Sequence, residues 1–405
     1  MSSRLNRGLA LVPPDRATPF TTESKLKTDT PMTTSVEPRN VPFFNYRGAF
    51  TEIETALMDT IRDVVQRGAF ILQKDLAEFE KAVANYLGVK HAFGVGNATD
   101  GLLFAFRAAG LKPGDEVVFP SHTMVAGPAA VHYAGGVPVP VDIGSDGLLD
   151  PAAIEGAVTE RTRFIMPVQL NGRTCDMDGI QRAADKHGLQ IIEDAAQGLG
   201  SKFRGRFAGT FGVAAAFSFY PAKILGCLGD GGMVVTNDDA VAETIALLRD
   251  HGRNAGGDVV MWGLNSRLDN LQAAVLHLQF RDYDAIIAHR RRLAAAYHER
   301  LGGLAGVVLP PAPAANADHF DVYQNFEMEA ERRDELKEFL KARGIGTLIQ
   351  WGGKAVHQYP KLGLTRSLPV TERFFTRCLM LPLNMMVSLD DAEYVSATIH
   401  EFYGR

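Results

Sequence analysis

The chain has 405 residues, 46% of them hydrophobic, which is enough to fill the cores of one large and one smaller domain. Its formal net charge of -5 argues against a nucleic-acid-binding surface, and no apolar stretch reaches the length of a membrane-spanning helix. The three cysteines form an odd set with neither metal-site spacing nor a disulfide framework, which predicts a cytoplasmic protein without a metal site.

Residues 1–40 are rich in Ser, Thr, Pro and Arg and show neither a helical nor a strand period, so we predict a disordered extension. The apolar run Leu9–Val12 is too short for the core of a secretory signal and is followed at once by prolines. The folded part is therefore expected to begin at residue 41.

Residues 41–290 have the pattern of a large α/β domain. Apolar residues at helical spacing predict helices over Thr51–Arg67 and Lys74–Tyr86. Further along, strands alternate with helices whose starts are marked by Asp150 and Asp176. Such alternation predicts a mostly parallel central sheet covered by helices on both faces. The predicted strands are His91–Val95, Glu116–Phe119, Val137–Val141, Phe164–Val168, Leu189–Glu193, Val213–Phe219 and Met233–Thr236.

Residues 291–405 predict a smaller α+β domain, which a cluster of prolines near residue 311 introduces. Its predicted elements are a strand over Tyr323–Met328, a helix over Arg333–Arg343 and a closing helix over Asp390–Phe402.

A glycine-rich loop follows the first strand, in the segment Gly94–Gly101. It opens a helix, and the free amides at a helix start can bind an anion such as a phosphate. Thr99 can add a hydroxyl. The glycine spacing does not match the dinucleotide fingerprint, and the loop taken alone is also typical of a tight strand-to-helix turn.

The predicted strand Leu189–Glu193 ends on a carboxylate and is followed by a second one, Asp194, and then by small residues. Asp194 lies at its carboxyl end, which is the edge of an open α/β sheet where ligands bind. An aspartate in this place is also typical of a cap for the following helix.

A lysine stands among apolar and small residues in the segment Phe217–Gly226. Apolar strands lie before and after it, and Pro221 stops the first of them, so Lys223 is predicted on a turn between two buried strands. Lost hydration lowers the pKa of such an amine and lets it form a Schiff base with an aldehyde. The alternative is a solvated surface lysine.

Lys223 and Asp194 together supply what a pyridoxal 5'-phosphate enzyme requires. Such an enzyme needs a lysine for the cofactor aldehyde and a carboxylate that keeps the pyridine nitrogen protonated, so that the ring can accept electrons. Both residues are therefore predicted to be catalytic.

With these segments in hand, the chain resembles the sugar-nucleotide aminotransferases of the DegT family, a branch of the fold type I pyridoxal phosphate enzymes. The resemblance runs from about Val41 to the C-terminus. Its most specific motifs are Pro113–Val117, Asp176–Asp178, Glu193–Gln197, Ser218–Lys223 and Gly229–Gly232.

The resemblance implies roles for individual residues. Lys223 resembles the family's cofactor-binding lysine, Asp194 the partner of the pyridine nitrogen, and Gln197 a glutamine near the phenolic oxygen of the ring. The residues that resemble phosphate ligands are Ala98, Thr99 and Ser218.

The segment Gly263–Arg267 resembles one whose asparagine reaches the phosphate of the neighbouring subunit. The resemblance therefore implies a homodimer with shared active sites, in which Asn265 completes the partner's site.

Several positions depart from the family pattern. Ala98 replaces a usual glycine, and Met124 stands where an aromatic commonly covers the cofactor ring, which a thioether can also pack against. Gln169 and Asn171 replace the more usual histidine and tyrosine. These departures bear on the substrate more than on the chemistry.

The segment Gln350–Gln358 joins tryptophan and glycines, which can form a flat platform. His357 resembles a family histidine near the substrate, and Lys354 could meet a diphosphate. A packed, hydrogen-bonded histidine and a solvated lysine are the alternatives.

The resemblance implies a cytoplasmic aminotransferase that moves an amino group from an amino acid, with L-glutamate the expected donor, to the keto group of a nucleotide-linked sugar. Pyridoxamine 5'-phosphate would be the intermediate cofactor form, and the product would serve amino-sugar biosynthesis. Alternatives are a keto-cyclitol or free ketosugar as acceptor, or a non-catalytic regulator. Related sugar dehydratases carry histidine in place of Lys223, and a regulator would not need Lys223, Asp194 and Ser218 together.

Overall fold

The computed structural model describes residues 39–404. The predicted extension at residues 1–40 therefore lies almost entirely outside the described residues. The described part of the chain forms 13 α-helices and 13 β-strands. None of these helices is long and apolar enough to cross a membrane.

The helices are α1 (Tyr46–Thr51), α2 (Glu54–Arg67), α3 (Lys74–Leu87), α4 (Ala98–Ala108), α5 (Ala126–Tyr133), α6 (Pro151–Glu155), α7 (Met177–His187), α8 (Asp239–Arg249), α9 (Asn270–Phe280), α10 (Tyr283–Leu301), α11 (Arg333–Lys341), α12 (Pro369–Phe375) and α13 (Leu389–Phe402). The strands are β1 (His91–Val95), β2 (Glu116–Pro120), β3 (Val137–Val141), β4 (Thr162–Ile165), β5 (Gln190–Asp194), β6 (Lys202–Phe203), β7 (Arg206–Phe207), β8 (Ala214–Ser218), β9 (Gly232–Thr236), β10 (Val307–Val308), β11 (His319–Phe320), β12 (Phe326–Ala330) and β13 (Cys378–Leu381).

The largest sheet has seven strands in the order β1-β9-β8-β5-β4-β2-β3. All neighbouring pairs from β8 to β3 are parallel, whereas β9 runs antiparallel to both β8 and β1. The other strands therefore point the same way and end on one edge. This arrangement confirms the predicted mostly parallel sheet.

Strand β8 shows how the sheet is buried on both faces. Ala214 and Ala216 pack in a core with α4, whereas Ala215 and Phe217 pack in a core with α3 and α9. Successive side chains of a strand point to opposite faces, so a strand covered on both sides must be apolar throughout. The uninterrupted apolar run in the sequence has this cause.

A second, three-stranded sheet in the order β10-β12-β13 is antiparallel and packs with α10, α11 and α13. A third small sheet has the order β11-β6-β7. The predicted domain boundary at residue 290 falls within α10, and the division into a large and a small domain stays a prediction.

Most predicted element boundaries agree with the structure to within a few residues. Asp150 and Asp176 cap α6 and α7 as predicted, each accepting a backbone N–H. The strand predicted from Tyr323 starts instead at Phe326, because Tyr323 has a left-handed φ of 53° that interrupts the extended backbone. The helix predicted from Thr51 is interrupted before Glu54.

Candidate active site

A cavity of about 520 Å³ opens at the carboxyl edge of the large sheet. It is lined by segments that follow β1, β2, β4, β5 and β8, the strands that end on this edge. A second cavity, of about 570 Å³, adjoins it and shares Lys223. The predicted site residues that line the first cavity together are Ala98, Thr99, Met124, Asp194, Gln197, Ser218 and Lys223.

Lys223 lies in the turn between β8 and β9, as predicted. Its backbone N–H donates to the Tyr220 carbonyl at 2.8 Å. Burial lowers the pKa of its amine to about 8, although the negative charge of Asp194 acts in the opposite direction. An amine with that pKa is neutral in roughly a quarter of molecules at pH 7.5, so Lys223 can act as a nucleophile or accept a proton.

Gln324 holds the backbone on both sides of Lys223. Its Nε2 donates to the Ala222 carbonyl and its Oε1 accepts from the Ile224 N–H, each at 2.8 Å. We call this pair of contacts the Gln324 bracket. Because Gln324 lies 100 residues beyond Ile224, no sequence pattern predicts this contact.

The Gln324 bracket is anchored by Arg290. The guanidinium donates to the backbone carbonyls of Tyr323 and Gln324, both at 2.7 Å. Arg290 is buried, and the burial lowers its pKa to about 10. A buried cation in α10 therefore fixes the backbone from which Gln324 reaches the Lys223 turn.

The two carboxylates at the end of β5 face opposite sides. Glu193 points away from the cavity and accepts backbone N–H groups of Gly209, Phe211 and Gly212. Asp194 lines the cavity, and its Oδ1 accepts from the Ala196 N–H at 3.1 Å. Burial raises the pKa of Asp194, while this hydrogen bond and the charge of Lys223 act to lower it.

The start of α4 presents free hydrogen-bond donors to the cavity. Asn97 caps the helix by accepting from the Asp100 N–H at 2.9 Å. The N–H groups of Ala98 and Thr99, in the first turn, have no intrahelical partner. Gly232 packs against this turn so closely that a Cβ on it would lie 2.7 Å from the Ala98 nitrogen.

Gln197 lines the cavity with its amide oxygen already occupied. Its Oε1 accepts from the Asn171 backbone N–H at 2.9 Å and from Asn325 Nδ2 at 3.3 Å. The amide nitrogen Nε2 is left as the group available to a ligand. Met124, with 48% of its surface exposed, lines the same cavity.

Asn265 does not line the cavity of its own chain. It is exposed and forms a backbone bridge with Asp250, while the neighbouring Arg267 donates to Asp250 Oδ1 at 2.6 Å. Trp262 nearby is 94% exposed and Val259 is 68% exposed. The segment therefore presents an asparagine and apolar side chains on the surface.

His357 and Lys354, predicted as substrate residues, lie outside the cavity lining. His357 is buried, with Nδ1 2.7 Å from Ser121 Oγ and Nε2 3.3 Å from Glu372 Oε1. Lys354 is exposed. From the same segment, Gln350 and Trp351 line the cavity instead.

The chain matches the model of the DegT/DnrJ/EryC1/StrS aminotransferase family over residues 51–400. The chain belongs to this family. It is therefore an aminotransferase, and the resemblance found in the sequence is confirmed.

Similar proteins extend the comparison. The chain is 41% identical over 379 residues to dTDP-3-amino-3,4,6-trideoxy-alpha-D-glucose transaminase of Streptomyces venezuelae, covering 92% of this chain and 99% of that one. The crystal structure of S. venezuelae DesV in complex with a ketimine intermediate is similar with a TM-score of 0.86, at 41% identity over 90% of this chain and 99% of that chain.

A second solved structure, NtdA of Bacillus subtilis with bound cofactor PMP, is similar with a TM-score of 0.83 at 29% identity. That match covers 92% of this chain and 87% of that chain. The fold of this chain is that of fold type I aminotransferases, as predicted.

Proposed function

We propose that this aminotransferase uses pyridoxal 5'-phosphate to move an amino group from an amino acid, L-glutamate as the donor, to the keto carbon of a nucleotide-linked sugar. The observation that carries the proposal is one cavity lined by Lys223, Asp194 and the free donors at the start of α4. The transaminase of S. venezuelae, named for a dTDP-linked amino sugar, supports the choice of substrate class.

The residues present fit the cofactor. The backbone N–H groups of Ala98 and Thr99 donate to no acceptor among the described residues, and with the hydroxyls of Thr99 and Ser218 they form a donor set that suits a phosphate. Thr123 Oγ1 also lines the cavity and is buried without a hydrogen-bond partner among the described residues. A buried hydroxyl without a partner is costly, so a ligand that bonds it would stabilise the site.

When bound, pyridoxal phosphate would supply an aldehyde carbon for the Lys223 amine and a ring that takes up the electron pair of a broken C–H bond. Lys223, with a pKa of about 8, can accept a proton at its Nζ and return it near neutral pH. Asp194 would hold a proton on a ring nitrogen, because a buried carboxylate gains from a neighbouring cation. Gln197 would donate through Nε2 to a ring oxygen.

The acceptor is tested with the enzyme in its pyridoxamine 5'-phosphate form. Keto-sugar nucleotides, free ketosugars and keto-cyclitols are each added in a separate reaction. The return of the visible absorbance band of the pyridoxal 5'-phosphate form is recorded. We expect at least one keto-sugar nucleotide to restore the band. A response to keto-cyclitols or free ketosugars alone would contradict the proposed substrate class, and no response to any of these compounds would place the acceptor outside these three classes.

We further propose a homodimer in which Asn265 completes the partner's phosphate site. The phosphate donors within one chain are uncharged, and Asn265 lies outside its own cavity beside exposed Trp262 and Val259. A two-fold dimer would bury such an apolar surface and make the contact reciprocal.

The three described cysteines are free and buried, which supports the proposed cytoplasmic location.

The shared site is tested by complementation. Lys223→Ala subunits are mixed with subunits that carry Asn265→Ala and Arg267→Ala, under conditions that allow exchange. In mixed dimers both defects fall in one site and the other site is intact, so activity should return to a fraction of wild type. Proven exchange without activity, or a fully active monomer, would contradict a shared site.

A further inference from the structure

A row of side-chain amides connects a buried carboxylate to the wall of the cavity. Glu327 on β12 is 6% exposed, and its Oε2 accepts from Asn171 Nδ2 at 2.7 Å and from Gln350 Nε2 at 2.9 Å. His122 Nε2 lies 3.3 Å from the same oxygen. Glu327 Oε1 is buried without a hydrogen-bond partner in the described part of the chain.

The direction of each amide in this row follows from its neighbours. A carboxylate only accepts hydrogen bonds, so Asn171 and Gln350 must turn their NH₂ groups toward Glu327. The oxygen of Asn171 then lies at the other end, where it accepts from Gln350 Nε2 at 2.9 Å and from Asn325 Nδ2 at 2.8 Å. Asn325 must therefore also turn its NH₂ group inward.

The backbone holds this row in register. Asn171 has a left-handed φ of 55°, which asparagine tolerates better than most residues. The next residue, Gly172, packs so closely that a Cβ on it would lie 2.5 Å from the Gln324 nitrogen. The Val322 N–H donates to the Gly172 carbonyl at 2.8 Å, so the loop of Asn171 is fixed against the segment that leads into β12.

The inward nitrogens leave two oxygens for a ligand. Asn325 and Gln350 both line the cavity that contains Lys223. Their nitrogens are bonded within the row, while Asn325 Oδ1 and Gln350 Oε1 accept no hydrogen bond from the described residues. This wall of the cavity therefore offers hydrogen-bond acceptors.

We propose that Glu327 is a specificity-determining residue that acts by orienting the side-chain amides of the cavity wall. By turning the amides of Asn325 and Gln350, it makes the wall select substrates that present hydroxyl hydrogens there. This inference rests on the proposed function, since sugars carry such hydroxyls.

The test compares Glu327→Gln with wild type. The variant keeps the shape of the side chain but can donate hydrogen bonds, so the amides of the row can reverse. Glu329→Gln is the matched control, because Glu329 lies two residues along the same strand and pairs with Arg377 at 3.2 Å instead of joining the row. It removes the same charge.

The probes are UDP-glucose, dTDP-glucose and the 3-deoxy-3-fluoro and 4-deoxy-4-fluoro analogues of dTDP-glucose, whose fluorine cannot donate a hydrogen bond. Calorimetry measures the Kd of each probe with the holoenzyme. A buried acceptor left unpaired weakens binding by roughly tenfold or more, so wild type should discriminate against at least one analogue by that factor. The ratio of interest is the Kd of an analogue divided by the Kd of dTDP-glucose. We expect Glu327→Gln to reduce this ratio to about threefold or less and Glu329→Gln to leave it at the wild-type value.

A second variant covers the case in which Glu327→Gln does not fold. Gln350→Met removes an acceptor from the wall directly and should reduce the same ratio. In the double variant, the ratio should match that of Gln350→Met alone, because both changes remove one interaction.

Unchanged discrimination in folded Glu327→Gln, or in Gln350→Met, would overturn the inference and leave the proposed function standing. An equal loss of discrimination in Glu329→Gln would show that the effect comes from the removed charge, and this would also overturn the inference. If wild type binds neither dTDP-glucose nor UDP-glucose, both the inference and the proposed sugar-nucleotide substrate are wrong.

Discussion

Replacing Gln324 by leucine should disturb the position of Lys223, although the lysine itself is unchanged. The change keeps the size of the side chain and removes both hydrogen bonds of the Gln324 bracket, each 2.8 Å long. Each such bond contributes about 0.5–1.5 kcal/mol, so the free energy of unfolding should fall by about 1–3 kcal/mol. The side chain is 7% exposed, so water cannot readily replace the lost partners of Ala222 and Ile224.

The larger effect is expected on the reactivity of Lys223. A loosened turn lets the amine leave its productive position, and small misplacements of a reacting group can cost up to about a hundredfold in rate. The measurement is the rate at which the cofactor-free protein develops the visible band on mixing with pyridoxal phosphate. We expect that rate to fall at least tenfold in Gln324→Leu.

Gln272→Leu is a suitable control. Gln272 Oε1 accepts from the Leu228 N–H at 2.8 Å, on the same loop but beyond Lys223. Its loss should lower stability slightly and leave the rate of band formation near that of wild type. If Gln324→Leu loses stability but forms the band as fast as Gln272→Leu, the Gln324 bracket supports the fold and does not position Lys223.

Three further predictions concern the predicted catalytic pair. Lys223→Ala should lose covalent attachment of pyridoxal phosphate after borohydride treatment, as read by peptide mass spectrometry; an unmodified Lys223 peptide in treated wild type would contradict the assignment. Asp194→Asn should keep its circular dichroism spectrum but lose on the order of a thousandfold in turnover, because a neutral amide cannot hold a ring nitrogen protonated; near-normal turnover would show that its role is misassigned. Because burial lowers the pKa of Lys223 to about 8, its neutral fraction should rise with pH and level off above that value. Reductive methylation of Lys223 in the cofactor-free protein should follow that curve, whereas a continued rise toward the ordinary lysine pKa of about 10.4 would contradict it.

The class of fold and several residues of the cavity lining could be predicted from the sequence. Strands such as β8 are recognisable because both faces are buried, which requires an apolar side chain at every position. The ends of parallel strands share one edge, so Asp194 and Ser218, which end β5 and β8, and Lys223 in the following turn could be expected together before their distances were known. The roles of these residues stay predictions.

The segment Gln350–Gln358 shows the limit of that reasoning. The sequence singled it out, but the side chains that line the cavity are Gln350 and Trp351, while His357 is bonded to Ser121 and Lys354 is exposed. Strand and helix periods predict which side of an element is buried. A segment of short turns has no such period, so only its tertiary contacts decide where each side chain points.

The Gln324 bracket and the row of amides at Glu327 consist of contacts that only the folded chain brings together. Gln324 and Ile224 are 100 residues apart, and Gln350 and Asn171 are 179 apart. A side-chain amide donates through its NH₂ group and accepts through its oxygen, and it can be turned either way, so its residue type does not say which atom faces a ligand. That choice depends on partners brought near by folding, here a backbone carbonyl for Gln324 and a buried carboxylate for Gln350.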